Sequence, residues 1–364
     1  YIGLAAGSSY NDIIFNNSSG LWSIESATSV LGDFALQDGT VTQNASLSIT
    51  GDYVQSAGTF TCDDPLTHSF SVGQSFSLPG STFDRFTGSG TDVDPYVVRD
   101  VYDLQAIKCD LLADYLLANS IDVIATQNWN SDGSGGYYGF DPIGGSTSFF
   151  QGTFDGQDYT ISNIYINRPT EEHVGLFAHI NFGAEVSNVG LLGGSVTGAH
   201  TVGSLAGQNN GSTVTNCYAT TAVTGQSRTG GLIGENTNSA TISGSYAEGA
   251  VSASDIWVGG LVGNNSASSV ITGCHATGNV TNTYSALNTG STGGLVGYNN
   301  GSEITNSYAT GIVTANSSYN VGGLVGYSRN NPATITNSYA IGAVNGYSYT
   351  GGLVGRNATT AITN

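Results

Sequence analysis

Oxygen-bearing side chains at alternate positions are the first candidates for chemistry in this sequence. The stretch NWNSDGSGG places Asn128, Asn130 and Asp132 two residues apart, just before a glycine. Calcium is bound by carboxylate and amide oxygens in loops of this kind. The later glutamate of a complete calcium loop is missing, and Asn, Asp and Gly are also ordinary turn residues. The pattern therefore offers calcium as a candidate ligand, with a plain turn as the alternative.

The four cysteines fall into two pairs with different expected chemistry. Cys62 and Cys109 lie outside the repeats described below and could form a disulfide in an oxidising compartment. Cys217 and Cys274 occupy a repeat position that elsewhere holds a small serine. They are two repeats apart, roughly 9 to 10 Å at the spacing of stacked strands, which is too far for a disulfide. We expect them to be buried free thiols.

Catalytic groups are sparse. The five histidines do not occur at the spacings of a zinc site; they are His68, His173, His179, His200 and His275. After residue 170 the only cations are Arg228, Arg329 and Arg356, and the glutamates are scattered. Enzymes that cut acidic polysaccharides need grouped carboxylates and a cation. The sequence predicts no catalytic residue and no cofactor, and hence a protein that is not an enzyme.

Composition restricts the class of protein further. Charged residues make up 9% of the 364, against about 25% in an average protein, and the net charge is −19. This charge argues against nucleic acid as a partner, because phosphates require a basic surface. The 39% hydrophobic content, with 20 Tyr and 13 Phe, argues against disorder. No apolar run is long enough to span a membrane.

A repeated GGLVG-like motif organises the second half of the chain. Its leucines are spaced by 27 to 34 residues and are Leu176, Leu205, Leu232, Leu261, Leu295, Leu324 and Leu353. A sustained period of this length indicates a solenoid, in which each repeat buries its apolar side against the next. Gly pairs, Thr, Val and Asn are poor helix formers, and apolar residues recur at every second position. The repeats are therefore predicted to be β-strands.

The columns of the aligned repeats predict which side chains point inward. In EITNSYATGIV the inward residues are Ile304, Ser307, Ala309 and Val313. The step from Ile304 to Ser307 breaks the alternation, so the strand must bend between them. The column of Asn306 contains only Asn or Gly, the residues that tolerate a left-handed backbone. We predict corners at Asn216, Gly244, Gly273, Asn306 and Asn337. The next outward column should form an aromatic ladder of Tyr218, Tyr246, His275, Tyr308 and Tyr339.

The first half has a shorter rhythm, with GDFALQDGTV, GDYVQSAGTF and GQSFSLPGSTF recurring about every 20 residues. Asp100 can cap a helix with Leu104, Ile107 and Leu111 on one face, predicting one short helical insert near 100–118 that covers a solenoid end. The fold is predicted to be all-β, a parallel β-helix (β-solenoid). Its expected parts are N-terminal repeats over 1–90, a junction over 91–170, and the longer repeats over 171–364.

The GGLVG copies, with ITNSYATG between them, resemble the GLUG motif of bacterial and archaeal surface proteins, over about 174–364. That group includes immunoglobulin A-cleaving metallopeptidases, whose zinc motif lies in another domain, and no H-E-x-x-H occurs in this chain. The resemblance implies a secreted or cell-surface β-helix and supplies no catalytic residues to carry over.

Three functions remain open at this point. The first is an extracellular structural repeat protein, either a subunit of a surface filament or the shaft of an adhesin. The second is a glycan-binding module that uses the outer Tyr ladder, and the third is a polysaccharide-degrading β-helix enzyme. A Thr-x-Thr pattern on the outer face would also suit ice binding, although Val270 and Glu303 interrupt it.

The expected partners are copies of the chain itself, other surface proteins or glycans. The sequence stops at AITN, residues 361–364, where earlier copies continue into the aromatic and valine columns. An incomplete last coil of this kind predicts that more chain follows or that another subunit adds strands, giving elongated assemblies.

Overall fold

The computed structural model describes residues 2–3, 9–79, 81–283, 290–315, 319–330 and 332–363. Within these ranges the chain is an all-β parallel solenoid, as the sequence predicted, and every strand pairing inside its seven sheets is parallel. The strands form two stacks of coils that share no sheet. Asn364, the last residue of the coil predicted to be incomplete, lies outside the described residues.

The N-terminal stack consists of two sheets wound from coils of about 20 residues. The larger sheet contains the strands Ile2–Gly3, Ile13–Ile24, Phe34–Gln43, Tyr53–Gln55, Thr59–Cys62, Phe76–Ser77 and Thr82–Asp84. The smaller sheet contains the strands Ser9–Tyr10, Thr28–Val30, Leu47–Ile49 and Phe70–Val72.

Aromatic rings fill the interior of the N-terminal stack. Tyr53 lies fully buried at the centre, stacked between Phe34 at 5.3 Å and Phe76 at 5.1 Å. Phe60 stacks on Phe83 at 5.1 Å between ring centroids. Because the coils are short, few side chains face inward from each, and large rings supply the buried apolar area.

A short helix closes the end of this stack. Asp100 accepts hydrogen bonds from the backbone N–H groups of Tyr102 and Asp103, and so caps the helix Val101–Ala106. The Tyr102 hydroxyl donates to the Val72 carbonyl and accepts from the Val72 N–H, and thereby pairs backbone groups at the edge of the smaller sheet. The helix thus covers a solenoid end, which would otherwise offer open strand edges.

The helical insert is shorter than predicted. Helix Val101–Ala106 continues only as the 3-10 turn Ile107–Cys109, and Tyr115–Leu117 is already a strand. The predicted extent to 118 is therefore wrong, and Leu111 lies beyond the helix. Tyr115 and Leu117 alternate inward with the outward Leu116, a period-2 pattern that fits a strand and outweighs the run of leucines. A second 3-10 turn spans Ile124–Asn128.

The second stack contains five sheets, and we name the four largest by their residues. The isoleucine sheet contains Tyr96–Val98, Tyr115–Leu117, Thr153–Asp155, Glu185–Ser187, Thr213–Thr215, Thr241–Ser243, Val270–Thr272, Glu303–Thr305, Thr334–Thr336 and Ala361–Thr363. The tyrosine sheet contains Ile121–Asp122, Thr160–Ser162, Gly190–Leu192, Tyr218–Ala219, Tyr246–Ala247, His275–Ala276, Tyr308–Ala309 and Tyr339–Ala340.

The other three sheets begin later in the chain and add further strands to the following coils. The valine sheet contains Tyr165–Arg168, Ser195–Gly198, Ala222–Gly225, Val251–Ala253, Val280–Asn282, Val313–Ala315 and Val344–Gly346. The GGLVG sheet contains Phe177–Ile180, Ala206–Asn210, Ile233–Thr237, Val262–Ser266, Val296–Asn300, Val325–Arg329 and Val354–Asn357. A six-stranded sheet contains His200–Val202, Ser227–Gly230, Val258–Gly259, Ser291–Gly293, Asn320–Gly322 and Thr350–Gly351.

The second stack begins earlier than the predicted domain boundary at 171. Its first strand, Tyr96–Val98, pairs with Tyr115–Leu117, and the isoleucine sheet runs on from there without a break. Most of the predicted junction over 91–170 thus belongs to the solenoid itself. The irregular spacing of these first coils hides them from a period-based search, although their strands keep the same register.

Small residues and aliphatic columns build the core of the second stack. Ile304 pairs with Ile271 on one side and with Ile335 on the other, and all three are buried. A Cβ added to Gly293 would collide with the Val296 carbonyl oxygen, and one added to Gly294 would collide with the Gly323 carbonyl oxygen of the next coil. The glycine pair is therefore required by the close approach of backbones.

No helix among the described residues has the length and apolar character that crossing a bilayer requires.

Candidate functional site

The corner column adopts the left-handed backbone that its residue types suggested. Asn216, Gly244, Gly273, Asn306 and Asn337 have φ values between 47° and 64°. Where asparagines are consecutive, their amides bond along the column: Asn337 Nδ2 donates to Asn306 Oδ1 at 3.3 Å. The corner thus combines permitted backbone angles with a ladder of exposed amides.

The outer aromatic column is a continuous stack of rings. Neighbouring centroids among Tyr218, Tyr246, His275, Tyr308 and Tyr339 lie 4.6 to 5.1 Å apart, with interplanar angles of 3° to 10°. Burial lowers the pKa of His275, so the neutral imidazole is favoured within the stack. Because each inner ring covers the faces of its neighbours, a sugar can reach mainly ring edges, and the geometry favours a structural role for this ladder.

A second ladder lies inside the coils and was not predicted. Asn209, Asn236, Asn265 and Asn299 are buried, and each Nδ2 in the first three donates to the next Oδ1 at 2.9 Å. Asn299 continues the ladder to the Ser328 hydroxyl at 3.2 Å. Each of these asparagines follows the motif leucine by four residues, and this fixed offset is the signal that could have revealed the column.

The Thr-x-Thr face is interrupted in space as well as in sequence. Strand register places Val270 and Glu303 consecutively in one outer column, between Thr241 and Thr334. The flat array of threonine hydroxyl groups that suggested ice binding is thus limited to short stretches of this face.

The residues suggested for calcium take part in turn formation. Asp132 Oδ1 accepts from the backbone N–H groups of Ser134 at 2.8 Å and Gly136 at 2.9 Å, and these bonds lower its pKa. Asn130 has a φ of 56° and donates its amide to the Gly139 carbonyl at 2.7 Å. Asn128 is exposed at the end of a 3-10 turn. Calcium stays a prediction, whereas the turn chemistry is visible in the hydrogen bonds.

The four cysteines are free thiols, so the suggested Cys62–Cys109 disulfide is not formed in this structure. Burial is the largest effect on both thiols and raises the pKa of Cys62 and of Cys109. Cys217 and Cys274 are buried as expected, and burial raises their pKa values to about 12 and about 11.

Two clusters of titratable groups were missed by the sequence analysis. Cys62, Asp63 and His68 offer ligand atoms within 4.8 Å of one another, a set that could hold a metal ion. Burial, the largest effect, raises the pKa of the Cys62 thiol, which disfavours the thiolate that a metal requires. Cys62, Asp63 and His68 are close together in the sequence. This signal for a metal site is overlooked when only the spacing between histidines is considered.

The other cluster is a polar cavity of about 380 Å³ at the start of the second stack. Its lining includes Asp141, Glu171, Glu172 and His173. The ring of His173 stacks near that of His179 at 5.7 Å, and burial lowers both pKa values, that of His179 to about 4. Asp141 is held by Lys108 and Arg168. Arg168 also pairs with the Glu171 carboxylate of the lining at 2.9 Å.

Comparison with known proteins identifies the repeats. A family model described as the GLUG motif matches residues 198–224, 225–252, 258–281, 288–314 and 317–345. Halomucin from Haloquadratum walsbyi is 34% identical over 227 residues, which are 58% of this chain and 2% of halomucin. A candidate Gly-rich membrane protein from Evansella cellulosilytica is 33% identical over 127 residues, 34% of this chain and 14% of that protein. The chain thus spans a small part of either relative.

Among solved structures, the fold is similar to that of a candidate immunoglobulin A1 protease from Bacteroides ovatus. The TM-score is 0.52 at 20% identity, covering 76% of this chain and 86% of the other. At this identity the similarity concerns the fold alone.

Residues 198–345 are a GLUG-motif repeat region, as the resemblance indicated. The chain is a repeat protein whose relatives are compatible with a cell-surface or secreted location.

Proposed function

We propose that the chain is an extracellular structural segment that acts as a stiff spacer, such as the shaft of a surface adhesin. The observation that carries this proposal is the continuity of the second stack. Its isoleucine sheet pairs ten strands in unbroken register, and the tyrosine, corner and asparagine columns run alongside it. Ten coils span roughly 43 Å at about 4.8 Å per step.

Stiffness follows from the bonding between coils. Each coil is joined to the next by parallel ladders in up to five sheets, so bending requires several rows of hydrogen bonds to lengthen together. The net charge of −19 favours solubility and repulsion between neighbouring copies. The same stacked coils would also suit a subunit of a surface filament. This is the alternative form of the proposal.

The spacer role can be tested by changing the number of coils. Duplication of residues 262–353 adds three coils in register, and deletion of the same segment removes three. We expect the maximum dimension measured by small-angle X-ray scattering to change by about 14 Å in each direction, with the cross-section unchanged. On a displaying cell, an N-terminal reporter on the shortened chain should lose access to a large antibody probe.

Three outcomes would contradict the proposal or its preferred form. A particle length that does not follow the coil number would exclude a spacer. Release of reducing ends from a panel of polysaccharides would indicate an enzyme. Sedimentation that rises with concentration, together with fibres in electron micrographs, would select the filament subunit over the shaft.

A further inference from the structure

The three cations of the second half come together on one surface of the solenoid. Arg228, Arg329 and Arg356 are separated by up to 128 residues in the sequence. In the structure, each guanidinium lies over an aromatic ring of the same neighbourhood: Arg228 over Trp257, and both Arg329 and Arg356 over Tyr327. We call the surface formed by Trp257, Tyr298, Asn320, Tyr327, Arg329 and Arg356 the arginine–aromatic groove.

Strand register brings these residues together. Tyr298, Tyr327 and Arg356 are consecutive in one column of the GGLVG sheet, and Arg329 lies in a neighbouring column of that sheet. Trp257 enters from the adjacent turn of another coil with a φ of 62°. Thr201, Arg228 and Tyr349 occupy the same column and also have positive φ, so this angle is a recurring corner of the coils.

The rings and cations form an ordered surface. The Trp257 and Tyr298 rings stack at 4.8 Å with an interplanar angle of 11°. Arg329 lies over Tyr298 with its central carbon 5.4 Å from the ring centroid, and Arg356 lies over Tyr327 at 5.0 Å. Cation–π contacts of this kind hold guanidinium groups in place while leaving their N–H donors available to a ligand.

The charge is uneven along this surface. Next to the groove, Arg228 lies over Trp257 and is 3.8 Å from the Glu235 carboxylate. At the other end of the groove, Arg329 and Arg356 are exposed and have no ion pair among the described residues. The chain as a whole carries a charge of −19, so an uncompensated pair of guanidinium groups is a local exception. This end of the groove is suited to an anion.

The groove also has depth and a spare acceptor. It encloses about 270 Å³, slightly below the roughly 300–1,000 Å³ range of ligand pockets. Asn320 lines it and is 4% exposed, and its Oδ1 atom has no partner among the described residues. A buried acceptor without a partner is unfavourable, and a hydroxyl group from a ligand would satisfy it.

We propose that the arginine–aromatic groove binds an acidic saccharide. Arg329 and Arg356 would hold its carboxylate or sulfate, the apolar face of a sugar ring would pack on the aromatic side chains, and a hydroxyl would donate to Asn320. A free inorganic anion would leave the aromatic surface unused, and a neutral sugar would leave both guanidinium groups unpaired. The site is separate from the spacer role, which depends on the stacked coils.

Titration of the whole chain with defined oligosaccharides tests this proposal, with tryptophan fluorescence as the signal. The probes are tetragalacturonate for a carboxylate, a sulfated galactose oligosaccharide for a sulfate, and galactotetraose as the neutral counterpart. We expect saturable binding of one or both acidic probes and at least tenfold weaker binding of galactotetraose. Trp257→Phe should remove the fluorescence change and so assign it to the groove, because Trp22 and Trp129 lie in the first half.

The matched variants separate the groove from other surfaces. Arg329→Gln combined with Arg356→Gln should weaken binding of the acidic probe at least tenfold, with unchanged circular dichroism and melting temperature, because both side chains are exposed. Isothermal titration calorimetry provides a second measurement that does not depend on Trp257. Tyr308→Leu combined with Tyr339→Leu, in the outer ladder, should leave the affinity unchanged.

The opposite results would overturn the proposal. Absence of saturable binding with every acidic probe at millimolar concentration would remove it. So would unchanged affinity in the double arginine variant. Loss of binding only in the double tyrosine variant would move the glycan site to the outer Tyr ladder. Equal binding of inorganic sulfate and the sulfated probe would show anion binding without recognition of a sugar. None of these outcomes alters the scattering test of the spacer.

Discussion

The two stacks of this molecule fill their parallel coils in different ways. In the N-terminal stack, partner residues in neighbouring coils are 19 to 23 positions apart, and aromatic rings meet at varied angles, from 12° between Phe60 and Phe83 to 88° between Tyr53 and Phe60. In the GLUG region, equivalent residues stack directly on one another, as Ile271, Ile304 and Ile335 do. The first interior is irregular, and the second repeats.

This difference shows how coil size determines the choice of side chain. A short coil with few inward positions needs large rings, and their shapes must be fitted individually. A coil of about 29 residues has many inward positions, which small and β-branched side chains fill in columns. Those columns also allow amide and ring ladders to run from coil to coil. The second design is the one that can be lengthened by repetition.

The largest expected effect follows from Ile304→Asp in the isoleucine column. An unpaired carboxylate between two stacked coils should lower the free energy of unfolding by about 4 kcal/mol or more. Ile304→Val should cost only about 0.5–1.5 kcal/mol. Thermal and urea unfolding of the two variants measure this contrast. Similar stability of the Asp variant and the wild type would place Ile304 outside the core.

Phe60→Ala should have the next largest effect, in the aromatic stack. Phe60 is fully buried against Phe34, Tyr53 and Phe83, and its loss should cost about 3–5 kcal/mol. Hydrogen exchange should rise over the N-terminal strands and remain unchanged in the GLUG region. Phe60→Leu, which retains apolar volume, is the control. Equal acceleration in both stacks would mean that they unfold as one unit.

A pH-dependent effect is expected where the two stacks meet. Burial, reinforced by Asp100 and opposed by Arg85 and Arg99, raises the pKa of Asp103 to about 7. This pKa lies above the unfolded value of about 3.9, so the folded state binds the proton more tightly. The resulting stabilisation is complete below about pH 4 and is lost as the pH rises through 7.

The contribution of Asp103 can be isolated by comparison with Asp103→Asn. The stability of the wild type should fall relative to this variant by at most about 1.4 kcal/mol per pH unit between pH 4 and 7. Urea unfolding at each pH provides the measurement. Parallel stability profiles for the two proteins would show that Asp103 keeps an ordinary pKa in the folded state.

The smallest effect is expected at the corner. Asn306→Val should cost about 1–2 kcal/mol, because a β-branched residue resists the φ of 50° observed there. Asn306→Gly should be nearly neutral, since Gly244 and Gly273 fill the same column and the lost amide bond from Asn337 is exposed. Melting temperatures distinguish the two. Equal losses would assign the main role to the amide ladder instead of the backbone angle.

Much of the GLUG region is determined by its sequence. The inward column at Ile304, the corner at Asn306 and the aromatic column at Tyr308 are recognisable because each contact joins equivalent positions in adjacent copies. Residues one period apart in the sequence therefore lie next to each other in the structure. The environment of a residue in one copy predicts the environment of its equivalents in the other copies. The aromatic N-terminal core is less visible, because the contacts of Phe60 with Tyr53 and Phe70 follow no repeated offset.

Only the tertiary structure decided the features that join non-equivalent positions. The helix ends near Cys109 because Tyr115 and Leu117 are needed in a strand, and the Cys62, Asp63 and His68 ligand atoms converge through a local turn. The arginine–aromatic groove depends on Trp257 reaching Tyr298 across coils, from the left-handed corner just before the strand Val258–Gly259. Contacts of this kind join residues at different positions of the repeat, so they leave no periodic signal in the sequence.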